Sequence, residues 1–254
     1  MKNKISTRKL ALLATFIALS AVIAEYVPGI PIIGVSGASI KLDAALAPIW
    51  GLILGPYLGG AAGFIGGVIV ASSPFSILTS LSTGISAFIT GLLTQKEMKI
   101  WNKKINGWII AAFFLSFLII GWYLTWVGQK AVLYPFLHII GLLIIIIGRS
   151  KLSDLLEDND KKKLLIKISL TSYVGIIADH MWGNLSFIFM AETLAPPEIV
   201  EQLPTIFMAV APISAVERIL LTIIATIIGI SLFTSLKNAG IYLIDKNKQE
   251  LKNN

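Results

Sequence analysis

Cysteine is absent from the 254 residues, which excludes disulfides, thiolate metal sites and thiol nucleophiles. Charge is scarce: 14% of the residues are charged, where a soluble domain carries roughly 25%. Histidine occurs twice and no two glutamates are adjacent. No strand pattern precedes the glycine-rich stretch, and no Lys-Ser or Lys-Thr pair follows it, so a phosphate-binding loop is excluded. Strand-rich regions and a soluble nucleotide-binding domain are missing as well.

What fills the chain instead is apolar surface. Hydrophobic residues make up 56% of it and the mean hydropathy is +0.82, the composition of an integral membrane protein. Apolar stretches run from about Lys9 to Val27, Leu42 to Leu54, Tyr57 to Ala71, Phe75 to Thr94, Trp108 to Val127, Ala131 to Gly148, Leu164 to Met190 and Ile213 to Thr234. They predict an all-α bundle of about eight transmembrane helices in a single domain over residues 1–254, with a cytoplasmic linker at 149–163. The charged start and apolar run "MKNKISTRKLALLATFIALSAVIAEY" resemble a signal peptide. The run is long enough to span, however, and shows no evident cleavage site, so it is read as a retained first helix.

Two of the stretches are short and abut at "GPYLGG", Gly55 to Gly60. Pro56 disfavours helix at Gly55 and glycine permits a tight turn, which predicts a hairpin; a single kinked helix is the alternative. The bases separate the two. With the N-terminus in the cytoplasm, eight crossings place every cluster of Lys and Arg inside and leave only Lys41 and Lys130 outside. A single span there inverts every later loop. The net charge of +7 therefore marks topology, with both termini cytoplasmic in a multi-pass cell-membrane protein, and does not point to nucleic acid.

Small residues form two stripes: Gly55, Gly59, Gly63 and Gly67, and Ala11, Ala14, Ala18 and Ala21. In lipid, small residues let helices approach closely. The glycines read as packing within the chain, whereas the alanines fit either internal packing or docking of a separate membrane subunit.

Against this background "ADHMWGN", Ala178 to Asn184, is anomalous, because a charge at membrane depth costs about 2.5–3.5 kcal/mol and usually faces a cavity or a partner. Asp179 falls in the outer third of its helix, His180 and Asn184 share a face, Trp182 lies among them, and Gly183 opens space. Pro212 suits a first helical turn, so the last crossing is expected to begin near Ile213 and to carry Glu217 and Arg218 at the same level. "AETLAPPEIVEQLP" would be the external connection before it. The cluster is read either as a buried Asp179 to Arg218 ion pair completed by Glu217 and His180, or as the lining of an outward-facing ligand pocket. Glu25 and Tyr26 end the first helix at that level, and Pro28 to Asp43, closing with Lys41 and Asp43, reads as a lid. Trp122, Tyr123 and Trp126 are expected in an interfacial aromatic belt, with a stacking wall as the alternative.

The alanine-striped first helix, the outer loop, "APIWGLILGPYLGGAAGFIGG", and two late helices with polar outer residues together resemble the S components of energy-coupling factor (ECF) transporters. The likeness covers Arg8 to Thr94 and Lys163 to Lys237. It implies a six-helix core plus an extra hairpin, here 108–148, and a vitamin or related micronutrient bound in an outward-facing pocket. It also implies a coupling subunit in the membrane, carrying two ATPases and met by Ala14 and Ala18 with Ala11 and Ala21 on the same stripe. On this reading the chain is no enzyme and needs neither cofactor nor metal. Two other functions compete. His180 and Asn184 one turn apart are similar to intramembrane CAAX-type proteases, but the paired glutamates of EExxxR are missing. A stand-alone secondary transporter would show inverted repeats with broken helices at the midplane, and no repeat between the halves is found.

Overall fold

A computed structural model describes residues 7–28, 30–31, 39–40, 42–100, 103–156 and 160–239. Its helices are α1 Thr7–Tyr26, α2 Asp43–Ile69, α3 Pro74–Leu93, α4 Gly107–Leu124, α5 Trp126–Lys130, α6 Phe136–Gly148, α7 Lys161–Leu194 and α8 Pro197–Asn238. Two small antiparallel pairs join them, β1 Ile30–Pro31 with β2 Ser39–Ile40 and β3 Met98–Ile100 with β4 Lys103–Ile105. Among the described residues seven helical segments are long and apolar enough to cross a membrane, one of them α6 continued to Ser153, whereas α5 is too short. The chain is an all-α, multi-pass membrane protein.

The second of these helices folds back on itself. Gly55 takes φ 78° and ψ −178°, a backbone conformation that side-chain-bearing residues rarely adopt. A continuous helix holds residues eight apart about 12 Å from one another. Here a Cβ on Gly59 would fall 2.7 Å from Gly51 Cα. The α2 stretch is therefore two arms meeting at Gly55 and Pro56, as the Gly-Pro pair predicts. The far arm packs antiparallel to α3: a Cβ on Gly63 would meet the Thr83 carbonyl at 2.8 Å, and one on Gly67 the Ser80 Cβ at 2.8 Å. The glycine stripe is thus spent on packing within the chain.

α3 starts cleanly because Ser73 caps it, accepting from Ser76 N at 3.1 Å while Ser76 Oγ accepts from Ser73 N at 2.8 Å, with Pro74 in the first turn. Its buried stripe of Ser82, Ser86 and Thr90 lies against α7, where Thr90 donates to the Thr171 carbonyl at 3.3 Å. The largest core joins α3, α4, α6, α7 and the N-terminal part of α8 around Leu115, Trp122, Val174, Ile177 and Phe207.

α1 is held by one face only. Phe16 stacks on Trp50 with centroids 4.2 Å apart, and Trp50 Nε1 donates to Ser20 Oγ at 2.8 Å.

The last helix departs from the expectation. It does not begin near Ile213 but at Pro197, and it runs unbroken through Pro204 and Pro212, so most of the expected external connection is helical. Each internal proline removes one backbone hydrogen bond. The burial of Leu203, Phe207, Ala211 and Ser214 at helical spacing against the core compensates. In place of Pro212, Pro197 occupies the first turn. Arg149–Leu156, at the start of the expected linker, is a 3-10 helix with Leu152 buried on the core.

Candidate functional site

α7 begins at Asp160, whose carboxylate accepts from Lys162 N at 2.9 Å. Its seam with α3 repeats every four residues: Thr171, Gly175, Asp179, Gly183. A Cβ on Gly175 would meet Ser86 Oγ at 3.1 Å, and one on Gly183 would meet Ser82 Oγ at 3.9 Å. Asp179, midway between them, is buried to 8% exposure with the Ser82 hydroxyl in hydrogen-bond reach, and its Oδ2 has no hydrogen-bond partner. Ser86 Oγ, fully buried, also has none. Trp182 Nε1 donates to the Leu78 carbonyl at 2.9 Å and so fixes the half-buried indole to α3.

One residue on, a rotation of about 100° turns His180 and Asn184 to a different neighbour. Tyr134, in the turn before α6, receives the Asn184 Nδ2 hydrogen bond at 3.1 Å, and its oxygen stands 3.3 Å from His180 Nε2. The two histidine rings stack with centroids 5.4 Å apart at 20°, and Trp122 stacks on Tyr134 at 4.6 Å. Phe207 of α8 closes on both Trp122 and Tyr134 edge-on. Trp122 is thus no belt residue. It is fully buried, the last of a stripe with Ala111, Leu115 and Leu118 that turns inward, whereas Trp126 stays 39% exposed with Lys130 Nζ 5.8 Å from its ring. Trp122 Nε1, both nitrogens of His138 and His180 Nδ1 are buried without partners. Such concentrations of orphaned polar atoms in a native core call for a bound group or water.

Glu217 and Arg218 come from the middle of α8. Arg218 Nη2 lies 3.4 Å from Glu217 Oε2, each side chain 11% exposed, so the arginine's ion pair is with its neighbour in sequence and not with Asp179. Arg218 nevertheless lies close enough to Asp179, His138 and His180 to act on each electrostatically, and its Nε is unpartnered. Asp43 opens α2, accepts from Ala44 N at 2.9 Å and is likewise within electrostatic range of Asp179.

Of the expected site residues, the structure brings Asp179, His180, Trp182, Asn184, Glu217, Arg218 and Asp43 to one level of the bundle. Glu25 and Tyr26 are exposed at the end of α1, Tyr26 to 77%. Lys41 lies outside the described residues, as does most of the expected lid; the lid's two sides meet as β1 and β2, with Ile30 opposite Ile40. Two clefts lie elsewhere. One of about 340 Å³ runs along Ile146 to Lys151, and one of about 290 Å³ lies between Tyr57 and Phe88. Sequence reading passed over Tyr134 and Phe207 as site members and weighed His138 only as a metal ligand. Among the described residues no three His, Asp or Glu side chains converge as a metal would require.

A second surface is defined by α1. Phe16, Ser20 and Ala24 are buried, while Ala11, Ala14 and Ala18 are exposed and Ala21 partly so. The alanine stripe turns away from the bundle.

Comparison with known proteins places these features. Residues 4–140, more than half of the chain, match a family described as ECF-type riboflavin transporter, S component. The match takes in α1 to α5 and the start of α6 and stops short of α7 and α8. An uncharacterized protein of Methanocaldococcus jannaschii is 27% identical over 195 residues, 74% of this chain and 59% of the relative, so the chain spans less than two thirds of that protein's length. No solved structure matches.

Proposed function

The chain belongs to the family of ECF-type riboflavin transporter S components, and from that premise we propose that it is the high-affinity substrate-binding membrane subunit of an ECF transporter. On this reading it takes up a vitamin or related micronutrient, captured in an outward-facing pocket between α7, α8 and the start of α6. The observation that carries this is the set of buried polar atoms without partners on Asp179, His180, His138, Trp122 and Arg218, gathered at one level. A core built only for stability satisfies such atoms or replaces them with apolar groups. The site joins stacked rings to hydrogen-bonding groups, the combination small-molecule pockets use for affinity and orientation. Glu25, Tyr26, Lys41 and Asp43 also contribute to substrate binding on this reading, both termini are cytoplasmic, and residues 1–254 act as one domain.

Binding alone does not move a solute, and the outward alanine face of α1 supplies the missing contact. Ala11, Ala14, Ala18 and Ala21 form a flat surface on which a transmembrane coupling subunit, bearing two ATPases, packs at close backbone distance. Chemistry on the substrate is not part of this reading.

The test is mass spectrometry of small molecules released from the purified, detergent-solubilised protein beside Asp179→Ala. A vitamin-like compound in the parent and absent from a folded variant is the expected result. Uptake of that compound by liposomes holding this chain alone would overturn the subunit reading in favour of an independent transporter.

A further inference from the structure

Resting on that reading of the pocket, we infer that the substrate is an organic molecule carrying a positively charged nitrogen, which docks on Asp179. Asp179 and Glu217 both lie within electrostatic range of one described cation, Arg218, and a third carboxylate, Asp43, lies within range of Asp179. Lys41 lies outside the described residues; even counted toward the site it leaves the balance negative by one. Glu217 takes the arginine at 3.4 Å. Asp179, 8% exposed, is the carboxylate whose Oδ2 meets neither a hydrogen-bond donor nor a cation. A buried ionised carboxylate without a partner is strongly unfavourable, and a bound cation supplies the partner.

The surroundings fit an organic cation. No three His, Asp or Glu side chains among the described residues converge to hold a metal ion. The Ser82 hydroxyl lies in hydrogen-bond reach of Asp179, the indole of Trp182 stands three residues further along α7, and the unpartnered Ser86 hydroxyl lies one turn along α3 beside Gly175. Indole is the best aromatic surface for a positive nitrogen, and hydroxyl oxygens accept from N–H groups. At Gly183, one turn along α7 from Asp179, the seam with α3 is loosely filled: a Cβ there would make only an ordinary contact, with Ser82 Oγ at 3.9 Å. Gly183 and Trp182 are partly exposed where Asp179 is buried, so a ligand entering past them meets the indole first and the carboxylate last.

The experiment uses the full chain in detergent and two flat-ring probes that differ chiefly in charge, 1-methylnicotinamide, which is cationic, and nicotinamide, which is neutral. Thermal stability and tryptophan fluorescence are followed as each is titrated to millimolar concentration. The cationic probe should bind in preference. Asp179→Asn should weaken its binding by about thirtyfold or more, the loss expected when a buried charge pair loses one member, and Asp179→Glu should retain the preference for charge. Equal binding of the two probes, preference for nicotinamide, binding of the cation unchanged in Asp179→Asn, or no binding of either overturns the cationic substrate. The subunit reading fails separately, if no molecule is released from the purified protein and no coupling subunit is captured with it.

Discussion

Tyr134 receives the side-chain amide of Asn184 at 3.1 Å, across 50 residues of sequence, and so ties the turn before α6 to the C-terminal half of α7. The amide satisfies one acceptor site of the tyrosine oxygen, which also shares a 3.3 Å hydrogen bond with His180 Nε2 whose direction follows the histidine tautomer. Tyr134→Phe keeps the stacking on Trp122 and removes both links. The expected cost is about 1–3 kcal/mol, the penalty for leaving a buried polar group unpaired. It should appear as a lower midpoint in thermal unfolding without ligand and as weaker binding of whatever molecule is released from the parent.

The hairpin apex makes a sharper prediction. Gly59→Ala forces a Cβ to 2.7 Å from Gly51 Cα, which no side-chain rotation relieves, and overpacking of this kind costs about 1–3 kcal/mol or more. Gly183→Ala, with 3.9 Å to Ser82 Oγ, should leave the folded yield unchanged while narrowing the approach to Asp179. Size-exclusion profiles and ligand titration of the two variants separate packing from access. Equal misfolding in both would contradict the packing described.

Breaking the α8 pair should be costly in proportion to its burial. Glu217→Gln leaves the Arg218 guanidinium, 11% exposed, without its 3.4 Å carboxylate. A loss of about 3–5 kcal/mol is expected for orphaning one member of a buried pair. The double variant Glu217→Gln with Arg218→Gln should recover part of it, measured by thermal unfolding; recovery of nothing would show that the two side chains act independently.

On α1 the expected result is the opposite, stability unchanged and assembly lost. Ala14 and Ala18 are exposed, so Ala14→Trp and Ala18→Trp should leave the unfolding midpoint and ligand binding intact. Co-purification with a coupling subunit should disappear. Retention of the complex with both variants would move the docking surface elsewhere.

The parts of the fold legible in the sequence were those marked by backbone chemistry or by charge. Gly55-Pro56 announced the reversal, and "ADHMWGN" announced a buried polar level, because both are expensive in lipid unless the structure requires them. The inward face of α4 was not legible. "WIIAAFFLSFLIIGWYL" is apolar all round, so nothing distinguishes Trp122, fully buried, from Leu124, 76% exposed. The start of α8 was misplaced for a related reason. Pro197, Pro204 and Pro212 all look like starts, and only the packing of Leu203, Phe207 and Ala211 reveals that two of them lie inside the helix. Tyr134 escaped notice because a tyrosine beside a proline reads as a turn, and its partners are 46 and 50 residues away.

The reversal at Gly55 has a consequence for the lipid around the protein. The far arm, Pro56 to Ile69, has 14 residues and is therefore about 21 Å long, against a hydrocarbon thickness of about 30 Å. It is also the arm whose Tyr57, Ile65 and Ile69 are exposed. On that flank the bilayer is too thick for the wall it meets, and it must thin or the bundle must tilt, at a fraction of a kcal/mol per ångström of mismatch. Shorter acyl chains relieve that stress, so membrane thickness acts on the orientation of this bundle from one side.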